Sequence, residues 1–324
     1  MELVPRKRLE LFSGRAHPEL ALEVAKYLDI ELGAITLREF ADGEIMSRFD
    51  QSVRGKDIFI LQSHVGPVND SIFEQLIMVD AAKRASAKRI TAVCPYYGYS
   101  RQDRKSSGRE PITAKLVADL FQVAGADRLI AVDLHSGQIQ GFFDGPVDHL
   151  TASQVLTDYL RAQVVPRDLV IVAPDAGRVK VAERYAQRLG ASLALVHKSR
   201  PKGTANVVAA LEVVGEVSGH HCVIVDDMID TAGTVTAAAD LLVRRGAREV
   251  WVMATHGILS GPAPKRLMDA PISKVVVTNT LPVLGDRLIP KLEVGSIAKV
   301  IADAIAAVFE DGSVSELFQA DNLS

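Results

Sequence analysis

The sequence predicts an α/β protein with two doubly wound parallel-sheet domains. Along nearly all of its 324 residues, apolar runs of strand length alternate with amphipathic runs of helix length. This alternation is typical of a parallel sheet covered by helices. The pattern starts again after residue 150, which places the domains at 1–150 and 151–324. Several of the strands lead into polar loops, and such sheets bind ligands at the carboxyl ends of their strands.

In the first half, helices are predicted where apolar residues recur every three or four positions, and strands where short apolar runs end at turn residues. Pro18 suits the first turn of a helix, and Gly43 marks a turn between two alternating strands. The predicted strands are 9–12, 34–38, 45–49, 57–62, 89–95 and 128–132, and the predicted helices are 19–28, 71–87 and 113–123.

In the second half, the apolar run that ends at Val225 predicts a buried parallel strand, because a strand covered on both faces needs no polar alternation. The C-terminal tail is expected to pack against the first domain. The predicted strands are 169–173, 192–197, 207–214, 222–225, 249–255 and 275–278, and the predicted helices are 153–161, 179–189, 236–245 and 297–309.

The composition is that of a globular protein with a sizeable core, since 48% of the residues are hydrophobic and 24% are charged. The formal net charge of -3 argues against a general nucleic-acid-binding surface. Cys94 and Cys222 both lie in apolar runs, so a disulfide is not expected and a reducing compartment is indicated. Neither a signal-like segment nor a membrane-spanning run is recognisable. We expect a cytoplasmic enzyme without nucleic-acid or membrane partners.

The most informative stretch is the acidic run after Val225. Asp226 and Asp227 are followed by Asp230, Thr231, Ala232, Gly233 and Thr234, and a helix pattern begins shortly afterwards. A loop between a strand and a helix N-terminus favours an anion, with amides and hydroxyls as its donors. Carboxylates beside a phosphate repel it unless they face sugar hydroxyls or a divalent cation. The stretch therefore predicts a site for a phosphorylated sugar, with an ordinary helix-capping cluster as the alternative.

Two further polar loops suggest metal and phosphate chemistry. His135 and Asp175 each follow a strand, and an imidazole with a carboxylate suits Mg²⁺ that is held mostly by substrate phosphates. A histidine after a strand is also a common capping residue. Lys198 and Arg200 open a basic stretch with glycine and proline, which predicts either a loop that closes over phosphates or a solvated basic turn.

Two other segments carry the elements of a nucleotide site. Arg101 and Gln102 follow a tyrosine-rich run and offer guanidinium stacking and amide hydrogen bonds, which suit a base with phosphates or, alternatively, RNA. Phe40, Asp42 and Glu44 supply one ring and two acceptors, which suit an adenine face and amino group. A turn with two acids is, however, also commonplace.

Taken together, these motifs resemble one family. They are FADGE at 40–44, PYYGYSRQDRK at 95–105, VDLH at 132–135, PDAG at 174–177 and VDDMIDTAGT at 225–234. The last one resembles the phosphoribosyl-diphosphate loop of the type I phosphoribosyltransferases. From residue 11 to about residue 318 the chain resembles the ribose-phosphate diphosphokinases, which implies two domains of the phosphoribosyltransferase type.

The resemblance implies a role for each motif. ATP would be held by Arg101 and Gln102 together with a turn lent by a neighbouring subunit. Mg²⁺ would be the cofactor, and a mobile loop would carry the catalytic cations. The implied assignments are Phe40, Asp42, Glu44, Arg101 and Gln102 for ATP, His135 and Asp175 for Mg²⁺, Lys198 and Arg200 for catalysis, Asp226 and Asp227 for the ribose, and Asp230, Thr231, Ala232, Gly233 and Thr234 with Arg200 for ribose 5-phosphate.

Regulation and assembly are also implied by the resemblance. Ser52, Arg54, Ser313 and Ser315 are similar to the positions at which phosphate activates and ADP inhibits family members, at a subunit interface of a hexamer. Arg178 replaces the family's usual second glycine after PDAG. Whether this cation adds a phosphate contact or crowds the site stays open at this point.

The implied reaction transfers the βγ-diphosphoryl group of ATP to the 1-hydroxyl of ribose 5-phosphate, for nucleotide biosynthesis. One rival is a phosphoribosyltransferase that consumes the diphosphate, but it leaves the nucleotide motifs at 40–44 and 101–102 unexplained. The other rival is a non-catalytic regulatory homologue. It is disfavoured because His135, Asp175, Lys198 and Arg200 are all present.

Overall fold

The computed structural model describes residues 8–199 and 210–317. These residues form two compact units. The first unit contains the described chain through Thr151, together with Thr280–Pro282 and the residues from Ile297 onward. The second contains the rest of the described residues between Ala152 and Ser296. The domain limits 1–150 and 151–324 stay a prediction about folding units.

The strands and helices alternate along the chain. The strands are β1 (Leu9–Ser13), β2 (Ile35–Glu39), β3 (Ile45–Phe49), β4 (Asp57–Leu61), β5 (Arg89–Cys94), β6 (Arg128–Val132), β7 (Val147–Leu150), β8 (Leu169–Ala173), β9 (Ser192–Ser199), β10 (Ala210–Val214), β11 (His221–Ile229), β12 (Glu249–Gly257), β13 (Lys274–Thr278) and β14 (Leu292–Gly295). The helices are α1 (Pro18–Tyr27), α2 (Val68–Arg84), α3 (Thr113–Ala124), α4 (Ser153–Gln163), α5 (Val179–Leu189), α6 (Gly233–Arg244), α7 (Ala263–Asp269), α8 (Ala298–Phe309) and α9 (Val314–Leu317).

The first unit is built on a parallel five-stranded sheet in the order β1-β4-β5-β6-β7. All five residues of the interior strand β4 are buried, which explains its uninterrupted apolar run after Asp57. The core of the first unit includes Phe12, Ile60, Val79 and Phe121, which come from the strands and the covering helices. The strands β2 and β3 pair only with each other, as an antiparallel hairpin.

The second unit is built on a seven-stranded sheet in the order β10-β9-β8-β11-β12-β13-β14. Only the edge strand β10 is antiparallel to its neighbour. The strands β8 and β11 lie at the centre, and Val172, Ile224 and Val252 are fully buried between the helix layers. The predicted parallel α/β architecture is thereby confirmed. None of the helices in the described ranges combines the length and hydropathy of a membrane span.

Several predicted element limits need correction. The strand predicted at 222–225 continues to Ile229, so Asp226 and Asp227 lie in β11 itself rather than in the following loop. The helix predicted to begin at 236 begins at Gly233. Apolar periodicity missed both limits because the polar ends of these elements carry no apolar signal. The short elements β7, α7, β14 and α9 were not predicted, because so few residues leave little periodic signal.

Candidate active site

The acidic pair, Asp226 and Asp227, lies near the carboxyl end of β11. The strand pairs with β8 only as far as Ile224, and beyond that point it continues beside β12. The backbone N–H of Asp227 donates to Asp226 Oδ1 at 2.8 Å. The ladder between β11 and β12 therefore fixes the backbone from which the two carboxylates extend.

Arg178 is the cation that binds the acidic pair. Its Nε lies 3.0 Å from Asp226 Oδ1, and its Nη2 lies 2.7 Å from Asp227 Oδ2. The three side chains are only 14%, 15% and 9% exposed, respectively. The sequence left open whether Arg178 contacts phosphate or crowds the site, and the structure places its guanidinium on the two carboxylates.

The electrostatics of the acidic pair are governed by burial and by mutual repulsion. Burial, with the neighbouring charge of Asp227, raises the pKa of Asp226 to about 8. The guanidinium of Arg178 acts in the opposite direction and lowers the pKa of Asp226. Because two adjacent buried carboxylates resist ionising together, the positive charge favours the form that can accept hydrogen bonds from hydroxyl groups.

The loop 230–234 follows the strand directly and enters α6. Ala232 has φ +61° and ψ +5°, a left-handed conformation that is uncommon for a residue with a Cβ atom. The helix therefore begins at Gly233, and its first-turn amides have no partners within the helix. Thr231 and Thr234 are exposed beside these amides. The arrangement offers backbone and hydroxyl donors to one anion.

Arg266 is a cation near this loop that the sequence analysis missed. Its Nη1 donates to the backbone oxygen of Thr231 at 3.0 Å, and the guanidinium is exposed. It lies on α7, a helix that the apolar pattern did not predict. Ser260, in the preceding loop, donates its backbone N–H to Asp230 O at 3.0 Å, so the segment after β12 supports the loop 230–234.

The predicted Mg²⁺ ligands occupy loops after strands, as expected. Asp175 is exposed, and its Oδ1 accepts a hydrogen bond of 2.8 Å from the backbone of Gly177. His135 is half-buried and belongs to the first unit. Within the described ranges, no three His, Cys, Asp or Glu side chains gather as a metal site. The donor chemistry of His135 and Asp175 fits an ion that takes most of its ligands from substrate phosphates and water.

The turn 40–44 connects the strands of the hairpin β2–β3. The backbone N–H of Phe40 donates to Glu44 O at 2.8 Å, and the Glu44 N–H donates to Asp42 Oδ1 at 3.1 Å. Phe40 is 46% exposed, and the guanidinium carbon of Arg38 lies 5.2 Å from its ring centroid. The turn therefore presents one ring and two carboxylates on its surface.

Arg101 and Gln102 lie in the loop before α3. Both are exposed. Gln102 Oε1 accepts from the Thr113 hydroxyl at 2.6 Å, and its backbone oxygen accepts from the Ala114 N–H at 3.2 Å. These contacts fix Gln102 against the start of α3. The two residues and the turn 40–44 thus come from separate elements of the first unit.

The remaining predicted residues are the two catalytic cations and the four residues predicted to bind effectors. Lys198 was predicted to open a loop, but β9 continues to Ser199, so Lys198 lies in this strand and its backbone pairs with Leu211 of β10. Arg200 lies outside the described residues. Ser52 and Arg54 are exposed residues between β3 and β4. Ser313 and Ser315 are exposed residues at and just before the short helix α9. Their predicted regulatory role stays a prediction.

Comparisons with known proteins identify the family to which the chain is similar. Residues 9–125 match the family described as the N-terminal domain of ribose phosphate pyrophosphokinase, and residues 198–319 match the phosphoribosyl synthetase-associated domain. The chain is 57% identical to a ribose-phosphate pyrophosphokinase of Streptomyces coelicolor, over 96% of each chain. It is 55% identical to that of Mycobacterium tuberculosis, over 98% of this chain and 97% of the other.

A crystal structure of phosphoribosylpyrophosphate synthetase from Mycobacterium smegmatis matches with a TM-score of 0.90 and 55% identity. The match covers 94% of this chain and all of the other. The fold is therefore of the phosphoribosyltransferase type. With relatives of this identity along nearly its whole length, the chain belongs to the ribose-phosphate pyrophosphokinase family. The family resemblance inferred from the motifs is confirmed.

Proposed function

We propose that the protein converts ATP and ribose 5-phosphate into 5-phosphoribosyl 1-diphosphate and AMP. The observation that carries this proposal is the identity of 55–57% with ribose-phosphate pyrophosphokinases over 96–98% of the chain. The acidic pair, followed by a loop that enters a helix N-terminus, is consistent with a sugar phosphate as substrate.

The reaction is an in-line displacement at the β-phosphorus of ATP. The 1-hydroxyl oxygen of ribose 5-phosphate forms the new bond to this phosphorus. The bond from the β-phosphorus to the oxygen that bridges it to the α-phosphorus breaks, and AMP departs with that oxygen. The hydroxyl proton is released. No covalent enzyme intermediate is required, so the rate acceleration comes from positioning and from stabilisation of the developing charge.

The second unit supplies the sugar side of the reaction. Asp226 and Asp227 accept hydrogen bonds from the ribose hydroxyls, and the amides and hydroxyls of 230–234 take the 5-phosphate. The support is chemical, since carboxylate oxygens accept hydrogen bonds from sugar hydroxyls, whereas backbone N–H groups and threonine hydroxyls donate to phosphate oxygens. Lys198 and Arg200 are the cations that neutralise the transferred diphosphoryl group.

The first unit supplies the nucleotide side. Arg101 and Gln102 bind ATP together with Phe40, Asp42 and Glu44 of a neighbouring subunit. The exposure of the turn 40–44 supports this role, because an exposed ring flanked by carboxylates is available to an adenine. A homohexamer would bring such a turn to each nucleotide site.

Mg²⁺ is the proposed cofactor, with His135 and Asp175 each as a protein ligand. When bound, the ion neutralises phosphate charge and polarises the phosphoryl oxygens. His135 and Asp175 would hold the ion through few protein contacts, which would suit an ion that arrives with the nucleotide. Phosphate and ADP are the proposed effectors, bound by Ser52, Arg54, Ser313 and Ser315.

An assay of the purified protein tests the proposal. ATP, Mg²⁺ and ribose 5-phosphate are supplied with and without inorganic phosphate, and AMP and phosphoribosyl diphosphate are followed together. Equal amounts of the two products support the synthetase, and dependence on phosphate supports the effector site. AMP without the diphosphate sugar would indicate hydrolysis, and no turnover under either condition would favour a regulatory homologue.

A further inference from the structure

Arg178 connects two separate chain segments at the acidic pair. It is the last residue of the turn that follows β8, whereas Asp226 and Asp227 belong to β11. The turn is held internally, because the Arg178 N–H donates to Asp175 O at 3.2 Å and the Gly177 N–H donates to Asp175 Oδ1 at 2.8 Å. These hydrogen bonds fix the backbone position from which the side chain of Arg178 extends to the acidic pair.

The contact uses the shape of a guanidinium group. One N–H direction meets Asp226 Oδ1 and a second meets Asp227 Oδ2, at 3.0 and 2.7 Å. A planar group with several fixed donors can join two carboxylates at once, whereas an ammonium group is a single point charge on a flexible stem. Because all three side chains are at most 15% exposed, solvent screens this contact far less than a surface pair.

We propose that Arg178 is a positioning residue for the sugar site. It holds the two carboxyl groups of the acidic pair in one fixed arrangement towards the ribose hydroxyls, and it acts on substrate binding through these groups. This inference deepens the proposed function and rests on its assignment of the acidic pair to the ribose. Arg178 is therefore needed for the affinity of ribose 5-phosphate and not for that of ATP.

A direct contact between Arg178 and a substrate phosphate is the competing role. A phosphate contact through Nε or Nη2 would draw the guanidinium away from the carboxylates, and two adjacent buried acids would then lose their compensating charge. Leaving buried charges without a partner is strongly unfavourable. The observed double contact therefore favours the positioning role, and the two roles differ in a way that a mutant cycle can measure.

The test compares Arg178→Gln, Arg178→Lys, Asp226→Asn and the double variant Arg178→Gln/Asp226→Asn with the wild type. Calorimetry gives the affinity for ribose 5-phosphate, and initial rates give kcat and the KM of each substrate. Lys180→Gln is the matched control, because Lys180 is an exposed cation two residues further along, on α5. Thermal melting and ATP affinity report whether each variant is folded.

We expect Arg178→Gln to weaken ribose 5-phosphate binding by about tenfold or more, with the KM for ATP changed by less than about twofold. Arg178→Lys should fall between this variant and the wild type, because one carboxylate regains a partner. In the Asp226→Asn background, Arg178→Gln should add less than about twofold, since residues that act as one unit are not additive.

Three results would overturn the inference. If Arg178→Gln weakened ribose 5-phosphate binding as much in the Asp226→Asn background as in the wild type, Arg178 would contact the substrate itself. If the wild type is active and Arg178→Gln binds ribose 5-phosphate with unchanged affinity, the contact of Arg178 with the acidic pair has only a structural role. Equal losses for ATP and ribose 5-phosphate would indicate a general disturbance. Failure of the wild type to form phosphoribosyl diphosphate is a separate result that contradicts the proposed function.

Discussion

The acidic pair of the second unit and the turn 40–44 of the first unit are built in opposite ways. Asp226 and Asp227 are part of a central strand and are bound by an arginine whose side chain is only 14% exposed. Phe40, with its two neighbouring acids, stands on an exposed hairpin turn held by hydrogen bonds of its own backbone. The sheet fixes the position of the acidic pair before a substrate binds. The position of the exposed turn 40–44, by contrast, depends on the molecule that the turn contacts.

This difference predicts that changes at the two regions affect different quantities. A substitution at the acidic pair should alter both the affinity for the sugar phosphate and the stability of the fold. A substitution at the turn 40–44 should alter only the affinity for the nucleotide. Lys198 of β9, the proposed catalytic cation, provides a third case, in which only the rate should change.

The largest effect is expected from Lys198→Ala. A cation that acts mainly on the transferred group contributes to the transition state, so kcat should fall by about a thousandfold while ATP binding changes little. Initial rates together with ATP titrations measure both quantities. Lys299→Ala, at an exposed lysine of α8, serves as the control. A large rise in KM at an unchanged kcat would refute the catalytic assignment.

Asp227→Ala should damage both binding and stability. The substitution removes one of the two carboxylates that bind Arg178 and leaves a buried cation with half of its compensation. We expect the free energy of unfolding to fall by about 3 kcal/mol and ribose 5-phosphate binding to be lost. Chemical denaturation and calorimetry give the two values. An undiminished stability would mean that the ion pair contributes nothing net.

Phe40→Ala should weaken only the nucleotide site. The ring is 46% exposed, so its removal opens no cavity, while the loss of a stacking surface should raise the KM for ATP by about tenfold. The melting temperature and the KM for ribose 5-phosphate should stay at the wild-type values. Phe73→Ala, at a phenylalanine of α2 that is 61% exposed, is the matched control. Equal effects from both substitutions would argue against a specific role for Phe40.

Arg266→Ala should have a smaller effect on the sugar phosphate. Its guanidinium donates to the backbone of Thr231 and lies at the exposed edge of the loop 230–234. Loss of this support should raise the KM for ribose 5-phosphate by about threefold and leave the ATP site unaffected. The adjacent exposed Lys265, changed to alanine, is the control. A loss of ATP affinity would contradict the assignment of Arg266 to the sugar-phosphate site.

The smallest effect is expected from thiol reagents. Cys222 lies in β11, the strand that carries the acidic pair, and burial raises the pKa of its thiol to about 12. Cys94 is fully buried, and burial raises the pKa of its thiol as well. Native protein at pH 8 should therefore react slowly at both cysteines, and denatured protein should react at once. Rapid labelling of native Cys222 would show that the sheet beneath the acidic pair opens readily.

The sequence was sufficient to predict the architecture, because buried parallel strands and amphipathic helices leave strong periodic signals. It also indicated the segment 226–234, whose acids and hydroxyls follow one another along the chain. It placed Asp226 and Asp227 in a loop, since polar residues at the end of a strand carry no apolar signal. Their place in β11 follows from the neighbouring strand β12, a contact that is distant in sequence.

Arg178 shows the limit of the sequence most clearly. It stands 48 residues before Asp226, and no pattern in the sequence indicates that β8 and β11 are neighbours. The ion pairs become apparent only when the sheet order is known. Arg266 was missed for a related reason, because its short helix α7 lies far along the chain from Thr231.

The most direct test of the central claim follows the atoms of ATP. Wild-type protein is incubated with Mg²⁺, ribose 5-phosphate and ATP labelled at either the α- or the γ-phosphorus, and the products are separated. Transfer of the βγ-diphosphoryl group predicts that the γ-label appears in phosphoribosyl diphosphate and the α-label in AMP. Recovery of the γ-label as inorganic phosphate or diphosphate, with no labelled sugar, would contradict the claim.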